Sequence, residues 1–128
     1  MTYLLDTHVL LWWLFDDRHL SKLARGIISD PENRILVSSA SVWEIATKYR
    51  LGKLPSASEF IKSPGEWISR ARFKELPISV AHAHRAGAFP QPHRDPFDRM
   101  LAAQSLIEEI PLIGRDDELK AFGARLVW

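Results

Sequence analysis

The chain has 128 residues, of which 46% are hydrophobic and 26% charged, the size and composition of one globular domain (residues 1–128) and not of a disordered segment. Lys and Arg number 17 against 16 Asp and Glu, so the net charge is +1 and a partner held only by a dominant basic face is excluded. The absence of cysteine removes disulfides, thiolate metal sites and a cysteine nucleophile, and fits a cytoplasmic protein. Tyr3-Leu4-Leu5 predicts a buried strand ended by Asp6, without the basic lead-in of a secretory signal, and Leu10 to Phe15 a short helix. The longest apolar run, Val9 to Phe15, is far below the roughly 18 residues of a membrane span. Ser21 to Ser29 has helical period, with Ser21 as cap and Leu23, Ile27 and Ile28 inward. Asp30-Pro31-Glu32-Asn33 is a turn, and Ile35-Leu36-Val37 a second buried strand.

Ser41 to Leu51 predicts a helix that ends where Gly52 supplies a left-handed residue. Ser56 to Arg72 reads as helix in two pieces, broken at Pro64-Gly65, and Phe73 to Leu76 as a third strand. Val80 to Gly87 is a short helix, and Pro90, Pro92 and Pro96 stiffen the loop after it. Pro96 to Glu109 is a strong helix with Met100, Leu101, Ala103 and Leu106 or Ile107 inward. Leu112-Ile113, Asp117 to Phe122 and Leu126-Val127 predict strand, helix and strand. Short apolar runs alternating with helices imply an α/β fold, a parallel sheet covered on both faces. Ligands of such sheets bind beyond the carboxyl ends of the strands.

Acids stand at those ends: Asp6 after the first run, Glu44 one turn past the second, Asp98 at the start of the long helix, Asp116 and Asp117 after the fourth run. Each has a local explanation. Ser41-x-x-Glu44 has the form of a capping box, and Asp6, Asp95, Asp116 or Asp117 can each cap a helix. Together they carry a different implication, because carboxylates gathered at one sheet edge repel and raise each other's pKa unless a cation lies between them. Carboxylates without thiolates suit Mg²⁺ or Mn²⁺, which lower the pKa of bound water and stabilise charge on a phosphodiester under attack. The five His lack zinc spacing, and no GxSxG elbow, phosphate loop or GxGxxG is present. A receiver-like signalling module also places acids at parallel strand ends, but it wants an acid pair after the first strand, where this chain has Asp6 alone. A catalytically silent binding protein is the other alternative.

Leu4-Leu5-Asp6-Thr7 and Ser38-Ser39-Ala40-Ser41-Val42-Trp43-Glu44-Ile45 resemble segments of the PIN-domain ribonucleases, in particular the VapC-type toxins of bacterial toxin–antitoxin pairs. So do Lys48-Tyr49-Arg50-Leu51-Gly52-Lys53-Leu54, His93 to Gln104 and Leu112 to Asp116, so the resemblance covers nearly the whole chain. It implies a three-layer α/β/α domain with a parallel sheet of four or five strands. It further implies a Mg²⁺- or Mn²⁺-dependent endoribonuclease that leaves 5′-phosphate and 3′-hydroxyl ends, inhibits translation and growth, and is neutralised by a VapB-type antitoxin. A homodimer and a toxin–antitoxin hetero-oligomer follow from the same likeness. It carries Asp6, Glu44 and Asp98 onto the acidic triad and Asp116 onto the fourth acid, with Asp117 a competitor, because Gly114 stands where the family usually has Thr or Ser. Thr7 and Ser41 match polar positions beside the acids, and Arg99 a phosphate or carboxylate partner. Trp12, Trp13, Trp43 and Trp67 are candidates for antitoxin contact or for core packing. With the four acids set aside the remaining chain is basic, so several of its 11 Arg should rim the pocket, and DNA remains a possible substrate.

Overall fold

In the computed structural model, which describes residues 1–128, the five apolar runs form strands β1 (Thr2–Leu5), β2 (Arg34–Ser38), β3 (Lys74–Leu76), β4 (Leu112–Ile113) and β5 (Leu126–Val127). They build one sheet in the order β3-β2-β1-β4-β5, every neighbouring pair parallel. Between them run α1 (Thr7–Leu14), α2 (Lys22–Ser29), α3 (Ser39–Arg50), α4 (Ser58–Lys62), α5 (Pro64–Arg70), α6 (Val80–Ala88) and α7 (Pro96–Glu108), with 3-10 turns at Pro55–Ala57 and Asp117–Phe122. No helix is long and apolar enough to cross a membrane.

Side chains alternate across the pleat and so supply two cores. Leu5, Ile35, Val37 and Ile113 face one side, where they pack with Val9 and Leu10 of α1, Ile45 of α3, Phe60 of α4 and Ile68 of α5. Leu4, Leu36 and Leu112 face the other, against Leu101 and Ala102 of α7 and Leu119 and Phe122 of the last 3-10 turn. The result is three layers, helix–sheet–helix. In α7 the five consecutive residues Leu101 to Ser105 are all buried, because α6 packs on the side away from the sheet; Met100, Leu106 and Ile107 are only half-buried. Small side chains at Ala102 and Ala103 suit that double burial.

Two local expectations are corrected. Leu23 is exposed, and Ala24 and Ile28 carry the inner face of α2, because Ser21 caps the helix through Ala24 N at 3.0 Å and sets its rotation. The helix expected from Ser41 starts at Ser39. Ser38 caps it, its hydroxyl accepting from Ala40 N at 3.0 Å, so Ser41 and Glu44 do not form a capping box. Gly52 takes the left-handed conformation expected after α3, at φ +74°.

The parallel order brings the carboxyl ends of β1, β2 and β4 to one edge. The chain leaves β1 for β2 on one side and reaches β4 on the other, so a crevice opens at the end of β1, the usual ligand position of an open α/β sheet.

Candidate active site

Asp6 occupies that crevice. Its backbone N–H donates to Ile113 O at 3.0 Å, which locks it to the end of β4, and its backbone has N-cap geometry for α1. The carboxylate nevertheless caps nothing: it accepts no hydrogen bond from α1, and only 5% of the residue is exposed. The nearest cationic atom is His8 Nδ1, at 3.8 Å from Asp6 Oδ2, longer than a direct hydrogen bond. Interaction with the Asp6 carboxylate, and with Glu44 further off, holds the His8 imidazole above its ordinary pKa against burial and Lys48. Gly114 follows β4 directly beside this acid; a Cβ there would stand 3.0 Å from the Asp6 Cβ and press on the carboxylate. The glycine where Thr or Ser was expected therefore leaves room for Asp6.

Glu44 lies on the inner face of α3, one turn beyond its start, and is 3% exposed. Its Oε2 accepts from Lys48 Nζ at 2.6 Å, four residues on. Burial tends to lower the Lys48 pKa, but the Glu44 hydrogen bond and the charges of Glu44, Asp95 and Asp98 outweigh it, and the net direction is upward. Between Asp6 and Glu44 a buried hydroxyl pair ties α1 to α3: Thr7 Oγ1 donates to Ser41 Oγ at 2.9 Å. Neither hydroxyl bonds an acid. Together they set the spacing of the helices that carry Asp6 and Glu44.

Asp98 sits in the first turn of α7, where its charge favours the helix dipole. Asp95 is the cap, accepting from Phe97 N at 2.9 Å and Asp98 N at 3.3 Å, so the Asp98 carboxylate is not used as one. Burial raises the Asp98 pKa to about 6, with the charges of Asp95, Asp6 and Glu44 adding to it and the His93 hydrogen bond opposing. The His93 ring bridges two acids, with Nε2 2.9 Å from Asp98 Oδ2 and Nδ1 3.2 Å from Glu118 Oε2. The Asp98 hydrogen bond raises its pKa. Ligand atoms of His93, Asp98 and Glu118 lie within 4.8 Å of one another, the tightest possible metal grouping in the chain; Asp6 and Glu44 are coupled to it by charge and not drawn into it.

Asp116 and Asp117 line a cavity of about 440 Å³ together with Asp6, His8, Trp12 and Arg115. Asp116 caps the following 3-10 turn, its Oδ1 accepting from Glu118 N at 3.0 Å, and Asp117 pairs with Lys120 at 3.1 Å. A second cavity, of about 290 Å³, shares His8 and is lined by Thr7, Glu44, Lys48 and Lys53. Of the arginines expected to rim the acids, Arg115 alone lines these two cavities; Lys48 and Lys53 supply the other cations. His93, His8 and Lys48 were missed as members of the site. The Glu44–Lys48 spacing of four on a helix was a readable signal for one of them.

Arg99 meets no carboxylate in the fold. Its guanidinium donates to five backbone carbonyls: Ala86 at 2.8 Å, Gln91 at 2.8 Å, His93 at 2.9 Å, Phe89 at 2.7 Å and Gly87 at 3.4 Å. It organises the loop from α6 to α7 and so fixes His93. Arg99→Lys, which cannot fork across these carbonyls, should cost about 3 kcal/mol in urea denaturation; a loss below about 0.5 kcal/mol would remove this role. His82 is likewise structural, closing a capping box with Ser79 and meeting Glu108 at 2.9 Å. Trp13 packs on Phe73, Trp67 donates to Glu59 O at 3.2 Å, and both are half-buried. Trp43 is 55% exposed, edge-on to Phe97.

The chain is thus a five-stranded parallel α/β/α domain with acids gathered beyond the carboxyl end of its central strand. The strand order excludes the receiver-like alternative, whose sheet runs 2-1-3-4-5. The PIN domain family model matches residues 3–124, and the chain belongs to that family. Ribonuclease VapC16 of Mycobacterium tuberculosis is 45% identical over 62 residues, a match covering 48% of this chain and 43% of that one, so the similarity spans less than half of the relative. The crystal structure of VapBC2 from Rickettsia felis bound to a promoter DNA fragment superposes with a TM-score of 0.70 at 15% identity, over 99% of this chain and 98% of that one. A toxin–antitoxin complex from Klebsiella pneumoniae gives a TM-score of 0.66 at 23% identity, over 98% and 96% of the two chains.

Proposed function

We propose that this chain is a VapC-type toxin, a metal-dependent endoribonuclease that hydrolyses RNA to 5′-phosphate and 3′-hydroxyl ends. The observation that carries the reading is a group of three acids at one edge of the sheet, Asp6 and Glu44 buried and Asp98 half-buried, with the charges of Asp6 and Glu44 adding to the rise of the Asp98 pKa. Catalytic silence is the weaker reading, since such acids destabilise a fold that has no use for them.

The donor set fits Mg²⁺ or Mn²⁺: carboxylate oxygens, an imidazole within reach, no sulfur, and an Asp6 carboxylate left without a hydrogen-bond donor. Asp6, Glu44 and Asp98 would hold the ion, with Asp116 contributing from the rim. When bound, it would supply a water acidified to hydroxide-like reactivity and would screen charge on the phosphodiester. Glu44, which accepts from Lys48 Nζ at 2.6 Å, would offer an oxygen to the ion, and the Lys48 ammonium beside it would supply a cation for phosphate oxygens. Thr7 and Ser41 tie α1 to α3 and so fix the spacing between the helix that follows Asp6 and the helix that carries Glu44. Lys53 and Lys48 attract the RNA backbone. A VapB-type antitoxin would neutralise the protein by covering the crevice, with the open Trp43 as one contact, and the chain would act as a homodimer within a toxin–antitoxin hetero-oligomer.

The direct test is mapping of new 5′-phosphate ends after brief induction, beside cleavage of RNA by the purified chain. EDTA should stop cleavage and Mn²⁺ restore it; cleavage that persists in EDTA contradicts the reading. Because the free Asp98 carboxyl titrates near 6, proton and cation compete for it. Mn²⁺ affinity by calorimetry should therefore fall about tenfold per pH unit below that value and level off above it.

A further inference from the structure

We infer that Trp12 and Arg115 form a base-binding subsite for the RNA nucleotide next to the scissile phosphate. The inference rests on the ribonuclease reading and adds to it where the substrate's base would sit. Arg115 lies over the Trp12 ring, its guanidinium carbon 4.7 Å from the centroid, as a cation stacked on an aromatic face. Trp12 is held from its other neighbours by His19 at 5.6 Å and 22°, and by Trp128 at 5.7 Å. Such backing orients the indole at little entropic cost when a ligand arrives.

This pair shares one cavity with Asp6 and Asp116. His8 connects the two ends, its ring 5.8 Å from that of Trp12 and its Nδ1 3.8 Å from Asp6 Oδ2. Arg115 follows Gly114, the residue that abuts Asp6, so the guanidinium is anchored two residues past β4. A single-stranded nucleotide has both chemistries this cavity separates: an anionic phosphate for the metal-holding acids, and a flat π face for the guanidinium and indole planes. No side chain of this pair is used in the fold as an ion-pair partner of an acid, and the cation already sits face-on to a ring. The geometry points to the base inserting against the guanidinium plane with Trp12 behind it. The adjacency to the acids favours RNA over a protein segment as occupant.

The test is a cycle between enzyme and substrate. A single-stranded RNA oligonucleotide cut by the wild-type chain is scanned with one abasic nucleotide at a time, and kcat and KM are measured with Mn²⁺. At one position beside the cut, base removal should reduce wild-type kcat/KM on the order of ten- to a hundredfold, mostly through KM. Arg115→Ala and Trp12→Leu should lose a similar factor on intact RNA and show no further penalty from that abasic site, and Trp12→Phe should recover most of the activity. Arg115 is exposed, so its variant keeps the readout should Trp12→Leu fail to fold. RNA cleavage with no position-specific abasic penalty, or a penalty undiminished in the Arg115→Ala chain, overturns the subsite and leaves the ribonuclease reading standing. The second pattern is also what a protein segment lying on Trp12 would produce. No cleavage of any RNA by the wild-type chain overturns both.

Discussion

Asp6→Asn should reduce metal-dependent RNA cleavage by at least ~10²-fold, since loss of groups that merely orient metal ligands already costs 10- to 100-fold. The substitution is close in shape, and Asp6 accepts no hydrogen bond from α1 that asparagine would forfeit. Its backbone bond to Ile113 is unaffected, so the end of β1 stays paired with β4. What is removed is one buried negative charge at the centre of the crevice. The fold should persist by circular dichroism, Mn²⁺ binding should weaken in calorimetry, and growth arrest on induction should be relieved. Purified Asp6→Asn protein that cleaves RNA at the wild-type rate, still only with metal, would remove Asp6 from the ligand set.

That Asp6 was readable from the sequence has a physical basis. A short apolar run ending in an acid, in a chain that alternates strands and helices, places that acid at a parallel strand's carboxyl end whatever the details of packing. The same logic reached Asp98, where Asp95-Pro96 marks a helix start so plainly that a second acid in the first turn is free for other use. Glu44 was placed on the correct helix by its position one turn past the second run, while the capping box offered as its local explanation does not form. Ser38, Ser39 and Ser41 are all acceptable caps, and local pattern cannot choose among them. The choice falls on Ser38 because β2 runs through Val37 and Ser38 into a helix with no intervening loop. His93 and Arg99 were beyond sequence pattern. One bridges Asp98 to Glu118, which is 25 residues downstream and on the far side of β4; the other spends its guanidinium on carbonyls of a loop whose path no periodicity encodes.

The cost of keeping Asp98 leads to the second large effect. Without a cation, Asp98→Asn should make the protein more stable at neutral pH while leaving it inactive. The folded carboxyl titrates near 6, against an ordinary value of 3.8, so the native state binds this proton more tightly than the unfolded chain does. Ionising Asp98 therefore costs stability. The cost is absent below pH 4, where both states are protonated, grows between 4 and 6, and is constant above 6. The pKa difference sets an upper bound of about 3 kcal/mol. Residual solvent contact and a weaker bond from His93 to asparagine reduce the expected gain to ~1–2 kcal/mol, or about 4 °C in Tm per kcal/mol for a domain this size. Thermal melts in EDTA should show Asp98→Asn above wild type at pH 7.5 and level with it near pH 4. Saturating Mn²⁺ should reverse the order at pH 7.5, because ion at 100 times its Kd stabilises the wild type by about 2.7 kcal/mol and the variant by much less. A variant that is less stable than wild type in EDTA at pH 7.5, by the same margin at both pH values, would mean that Asp98 holds the fold together through His93 and that its charge is not the burden argued here. A gain in EDTA lost in Mn²⁺ would instead mark Asp98 as a residue kept for its ion.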